Sequence, residues 1–193
     1  MLKYIKKALA LSVITNKKIK TNDCNQLEFL KDRLMDRFGS PVGWHTVGIP
    51  MVFSMFFALI SCTMQQAPLW LAIFNWLDFP EKHIFIGILP SLAIFCVAII
   101  VSMLAAFRGY ESGLKLFLLI IFLTFAASVI VLLATLVSVD GNYRAKLLGA
   151  IIGFLSIVLS LSCLNTRMFV RSICYALHNR VWRKQLKIQT RSI

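Results

Sequence analysis

The sequence predicts an all-α polytopic membrane protein, with four transmembrane helices and amphipathic cytoplasmic helices in its N-terminal and C-terminal regions. Three observations predict it. The 193 residues are 59% hydrophobic and only 15% charged, where a soluble domain carries about 25% charged residues. The apolar residues gather in four blocks, 47–64, 84–107, 116–139 and 147–164, none of which contains Asp, Glu, Lys, Arg or His. The net charge of +13, from 21 Lys and Arg against 8 Asp and Glu, falls almost wholly on one side of those blocks.

Each block is read as a span because a helix rises 1.5 Å per residue, so a hydrocarbon core of about 30 Å takes roughly 20 residues. Their orientation follows from the cations. The first 46 residues hold nine Lys or Arg, 108–115 hold two and the tail from Asn165 holds seven, whereas 65–83 hold one and 140–146 hold two. Positive charge stays on the cytoplasmic side, so both termini are expected there. The order of regions is then a basic arm at 1–46, the spans at 47–164 and a basic tail at 165–193.

Within the arm, residues 2–12 suit a short cationic helix, with Leu2, Ile5 and Leu9 on one face and Lys3, Lys6 and Lys7 opposite. Two readings stand: a helix lying on anionic lipid, or an arm that only enforces orientation. Lys17, Lys18 and Lys20 follow the short apolar run at once, which argues for retention over cleavage as a signal peptide. A clearer helix covers 23–38. Asp23 and Gln26 fit a capping box, Leu27, Leu30, Leu34 and Phe38 form one stripe, and Gly39 and Pro41 supply the stop. That stripe must lie on lipid, on the spans or on a partner protein.

Between the first two spans, 67–79 is apolar, with Trp70 and Trp76 between Pro68 and Pro80. It is too short to span. It reads as an interfacial helix with tryptophans at headgroup depth, a re-entrant hairpin being the alternative. The tail continues as a helix whose stripe is Val170, Ile173, Cys174, Leu177 and Val181. Arg180, Arg183, Lys184 and Lys187 suit an anionic membrane surface first, with a nucleic acid or an acidic partner as the alternatives.

Small residues recur at helical spacing inside two spans: Gly87, Ser91, Ala98, Ser102 and Ala105 in the second, and Gly149, Gly153, Ser156 and Ser160 in the fourth. Such faces let helix backbones approach closely. Packing within one chain is the first reading, and homo-oligomerisation is the second. Pro90 is expected to kink the second span, but no intramembrane charge accompanies it for an ion-coupled carrier.

No catalytic, cofactor-binding or metal-binding residues are expected. The five cysteines, Cys24, Cys62, Cys96, Cys163 and Cys174, have neither framework nor zinc spacing. Arg171 and His178 meet the Arg-x(4–6)-His spacing of HEPN ribonucleases, which chance supplies readily in so basic a tail. The whole-chain layout, the length and the opening MLKYIKKALALSV resemble the superinfection exclusion protein B family of lambdoid phages. That resemblance implies a non-enzymatic protein of the bacterial inner membrane that blocks the growth of competing phages, and it transfers no residue roles. Also open are a colicin-type immunity protein, a pore-forming effector and an accessory subunit of a larger membrane complex.

Overall fold

The computed structural model describes residues 2–20, 23–38, 43, 48–137 and 143–190, without the side chains of 38, 81 and 143–145. Among the described residues the chain is all-helical. Seven α-helices follow one another: α1 (Lys3–Ile19), α2 (Cys24–Phe38), α3 (Ile49–Trp76), α4 (Ile84–Phe107), α5 (Glu111–Val137), α6 (Tyr143–Leu164) and α7 (Arg167–Gln189). A single 3-10 turn, Glu81–His83, precedes α4. Helices α3, α4, α5 and α6 are long and apolar enough to cross a membrane.

Two helices match their expected limits closely. Helix α4 covers 84–107, with Pro90 inside it. Helix α2 covers 24–38, and Asp23 Oδ1 accepts the N–H of Asn25 at 2.9 Å while Gln26 stays exposed. The carboxylate half of the expected box therefore satisfies a free N–H of the first turn. Helix α5 starts five residues before its apolar block and α6 starts four before. Charged residues interrupt hydropathy there without interrupting the helix. In α5, Glu111 and Lys115 pair across one turn at 2.5 Å.

The largest departure is in α3. The segment expected as a separate interfacial helix, 67–79, is mostly a continuation of the first apolar helix, which runs unbroken through Pro68 to Trp76. One side-chain bond precedes the proline and one crosses it. Gln65 Nε2 donates to Ser61 Oγ at 2.7 Å, and Trp70 Nε1 donates to Gln66 Oε1 at 3.0 Å. The stop comes from Asp78, which adopts a left-handed φ of 55°. Phe79 N then bonds Phe74 O at 2.9 Å, and the two rings meet at 5.9 Å. This is the hydrogen bond and the apolar contact of a Schellman ending.

The chain forms two compact units, one of Met1–Phe53, Val101–Phe117 and Ser162–Ile193, the other of Ser54–Ile100 and Leu118–Leu161. The second exposes large apolar side chains and buries polar ones beside apolar ones such as Ile99, Ile121 and Ile157. Buried within it are Ser54, Ser61, Gln65, Thr124, Ser128, Thr135, Ser156 and Ser160, while Phe85, Ile86, Leu89, Ile94, Leu123, Ile130 and Leu148 are exposed.

Its small-residue faces are used largely within the chain. Ser160 Oγ donates to Ser54 O at 2.9 Å and lies 2.8 Å from Ser54 Oγ. Ser156 is buried. Ser91 Oγ donates to Gln66 Oε1 at 2.7 Å, and Gly87 faces Trp70 so closely that a Cβ would lie 2.5 Å from the indole. Ala98 is half-buried. A Cβ at Gly153 would sit 3.3 Å from Met64 Cβ and 3.6 Å from Ser61 O, whereas Gly149 opens on empty space.

The pair supplies its own control. Gly153→Leu should destabilise the detergent-extracted protein by about 1–3 kcal/mol through overpacking, and Gly149→Leu should not. Equal thermal melting points for the two variants would refute this packing.

In the first unit α7 is flanked by α1 and α2, both packed against it. Phe169, Ile173, Leu177 and Val181 of α7 are buried, as are Leu27, Leu30 and Leu34 of α2. Each such side chain contributes roughly 1.5–3 kcal/mol by leaving water. Helix α1 is longer than the expected 2–12, and its buried residues are Ile5, Ala8, Leu11, Ser12, Thr15 and Ile19, with Leu9 only half-buried. Small residues at 8, 12 and 15 admit α7 closely. Serine and threonine in that role do not register as an apolar stripe, so the helix looked shorter than it is.

The α4–α5 connection belongs to the same unit. Ala105 meets Gly113, whose added Cβ would lie 2.4 Å from the alanine's, and Ser102 is buried.

Candidate basic interface

The first unit concentrates cations on α1, α2 and α7, and three of those on α7 bond backbone carbonyls of other segments. Helix α4 ends in a Schellman motif: Gly109 N bonds Ala106 O at 2.9 Å and Tyr110 N bonds Ala105 O at 3.1 Å. Gly109 has φ +80°, and a Cβ there would lie 2.7 Å from Ala176 O of α7. The carbonyls left over at this helix end are taken by cations. Arg180 Nη1 donates to Gly109 O at 2.8 Å, and Arg183 Nη2 donates to Arg108 O at 3.0 Å. Positive charge at a helix C-terminus is favoured by the helix dipole. Arg180 also stacks on the Tyr110 ring at 4.7 Å. Lys184 Nζ donates to Ile19 O, closing the C-terminus of α1 in the same way.

This placement revises how the tail's cations are used. Arg180, Arg183 and Lys184, expected as surface or partner contacts, each bond a backbone carbonyl of their own chain; Lys187 is exposed. A groove beside them is lined by Arg108, Tyr110, Arg180, Arg183, Lys184 and Lys187, with Ile19 and Leu186. The stripe of α2 is likewise covered from within, Leu27, Leu30 and Leu34 being buried. The side chain of Phe38 lies outside the described residues. The expected contacts on α1, Lys3, Lys6 and Lys7, are exposed.

A second basic groove forms around the first turns of α1 and α7, lined by Lys3, Tyr4, Lys7, Arg37, Arg167 and Arg171, with Val170. Arg167 Nε donates to Tyr4 Oη at 3.1 Å, and Tyr4 N donates to Asn165 Oδ1 at 3.2 Å. Helix α1 has no side-chain cap of its own, so Asn165 supplies a partner for one of its free N–H groups. At the start of α7, Thr166 Oγ1 accepts the N–H of Phe169 at 3.2 Å. The hydrogen bond from Arg167 holds the Tyr4 phenol below its ordinary range, and nearby Lys3 and Lys7 add to the effect.

The sequence had not singled out Tyr4, Arg37, Asn165 or Arg167 as site residues. A signal was present in the i, i+4 spacing of Lys3 with Lys7 and Arg167 with Arg171, which puts each pair on one helix face.

Comparison with protein-family models, curated proteins and solved structures gave no match.

Chemically the two grooves offer cations, the phenols of Tyr110 and Tyr4, and backbone-anchored guanidinium groups. They suit anion binding. Among the described residues no three His, Cys, Asp or Glu side chains gather as a metal site. Cys174 is buried, and burial pushes its thiol above the ordinary range, which disfavours the reactive thiolate.

Proposed function

We propose that this chain is a non-enzymatic, multi-pass protein of a bacterial inner membrane, of the superinfection-exclusion type, which blocks the growth of competing phages. Both termini face the cytoplasm, and the three-helix basic unit is the working surface. The membrane part rests chiefly on the apolar outer surface of the second unit, where phenylalanine, leucine and isoleucine face outward while several hydroxyls and an amide are buried. Lipid stabilises such a surface, whereas water penalises it. The orientation rests on the 18 to 3 division of Lys and Arg between the two sides. The phage-exclusion part rests on the resemblance of layout and N-terminal sequence.

Expression of the full chain in a bacterial host should lower the plating of some members of a diverse phage panel by orders of magnitude, with uninfected growth unchanged. Reporter fusions at Ile193 and after Lys115 should read cytoplasmic, and those near Lys82 and Asn142 external. Unchanged plating across the panel, with the protein confirmed in the membrane fraction, would reject exclusion. Depolarisation of uninfected cells would favour a pore-forming effector instead.

A further inference from the structure

We propose that Lys3, Lys7, Arg37, Arg167 and Arg171, gathered around Tyr4, form a site for the phosphate of an anionic phospholipid headgroup. The inference rests on the membrane reading of the four long helices but not on phage exclusion.

Three helices contribute to the groove, and all five of its charged side chains are cations. Like charges lining one groove repel one another, and an anion bound among them relieves that repulsion. The other basic groove relieves that repulsion internally, because Arg180, Arg183 and Lys184 each donate to a backbone carbonyl. In this one, Arg167 is held through the phenol of Tyr4. That hydroxyl accepts from Arg167 and retains a proton to donate, so it orients one guanidinium and adds a neutral donor. Lys3 and Lys7 lie one turn apart on α1, and Arg167 and Arg171 lie one turn apart on α7. Tyr4 joins the two rows through Arg167 and Asn165.

Position selects lipid among the sources of phosphate. Arg167 follows by three residues Leu164, the end of the fourth apolar helix. A span that ends there leaves the groove at headgroup depth, where basic pockets beside transmembrane helices bind anionic lipids. Guanidinium groups pair with phosphate through short, charge-assisted bonds.

The test uses the full chain in nanodiscs of phosphatidylcholine containing a minor fraction of phosphatidylglycerol or cardiolipin. Anionic lipid retained by the protein is counted by native mass spectrometry. The double variant Lys7→Gln, Arg171→Gln should retain on the order of tenfold less than Lys6→Gln, Lys17→Gln, which removes the same charge from exposed positions outside the groove. The charge-conserving pair Lys7→Arg, Arg171→Lys should retain most of it, and all variants should melt alike. Equal losses in the two glutamine pairs would overturn the site in favour of diffuse attraction. Displacement of the lipid by millimolar inorganic phosphate would overturn lipid as the source. Failure of every variant, including the unaltered chain, to enter nanodiscs would strike at the membrane reading itself.

Discussion

Gly109→Val should remove most of the folded protein. Gly109 has φ +80°, a region a β-branched residue does not adopt without strain of about 1–3 kcal/mol. Its added Cβ would also lie 2.7 Å from Ala176 O, a backbone atom that cannot turn aside as a flexible side chain does. Moving α7 away would break the bonds of Arg180 and Arg183 to the end of α4. Strain and overpacking together put the loss on the order of 4 kcal/mol, a large share of the stability of any domain. Thermal melting and the yield of monodisperse protein in detergent check it, with Gly149→Val as the control in open space. Comparable melting of the two variants would mean that α7 does not approach Gly109 as described.

Leu27→Asp should detach α2 from α7 while leaving the four long helices assembled. Leu27 is fully buried, with no exposed side-chain surface. Its replacement loses the apolar burial and places an unpaired carboxylate in the core, a loss of about 3–5 kcal/mol. Undocking is the less costly outcome. Cys174 reports it directly, since its thiol is buried and the pKa of that thiol is raised by burial. Maleimide labelling read at Cys174 by mass spectrometry should rise from slow to rapid in the variant. Continued protection of Cys174 would show that this stripe does not cover α7.

These two sites differ in how far they could be read in advance. The stripe of α2 was visible because leucines at 27, 30 and 34 repeat at helical spacing, and only its covering surface was open. Gly109 carried no such signal. It stood in a short polar connection, and its role depends on α7, whose contact residue Ala176 lies far away in sequence. Pro68 misled for the opposite reason. A proline inside a pattern normally marks a boundary, but the side chains of Gln66 and Trp70 tie the turns on either side of it. Ser12 and Thr15 concealed the second half of α1, since polarity at those positions coexists with close packing on α7.

The sequence by itself determined the number of long apolar helices, the end of the fourth at Leu164 and the basic character of both terminal regions. Those properties are local: hydropathy summed over about 20 residues, and charge counted along the chain. Only the tertiary structure decided what the terminal regions do with their side chains. It placed the leucine stripe of α2 and the small face of α1 on α7. It turned Arg180, Arg183 and Lys184 into caps for other helices, and it drew Lys3, Lys7, Arg37, Arg167 and Arg171 around Tyr4. Each of these depends on which helix lies beside which, a pairing between residues up to 165 positions apart. Such pairings are set by complementary shape and free backbone groups rather than by any one segment's pattern.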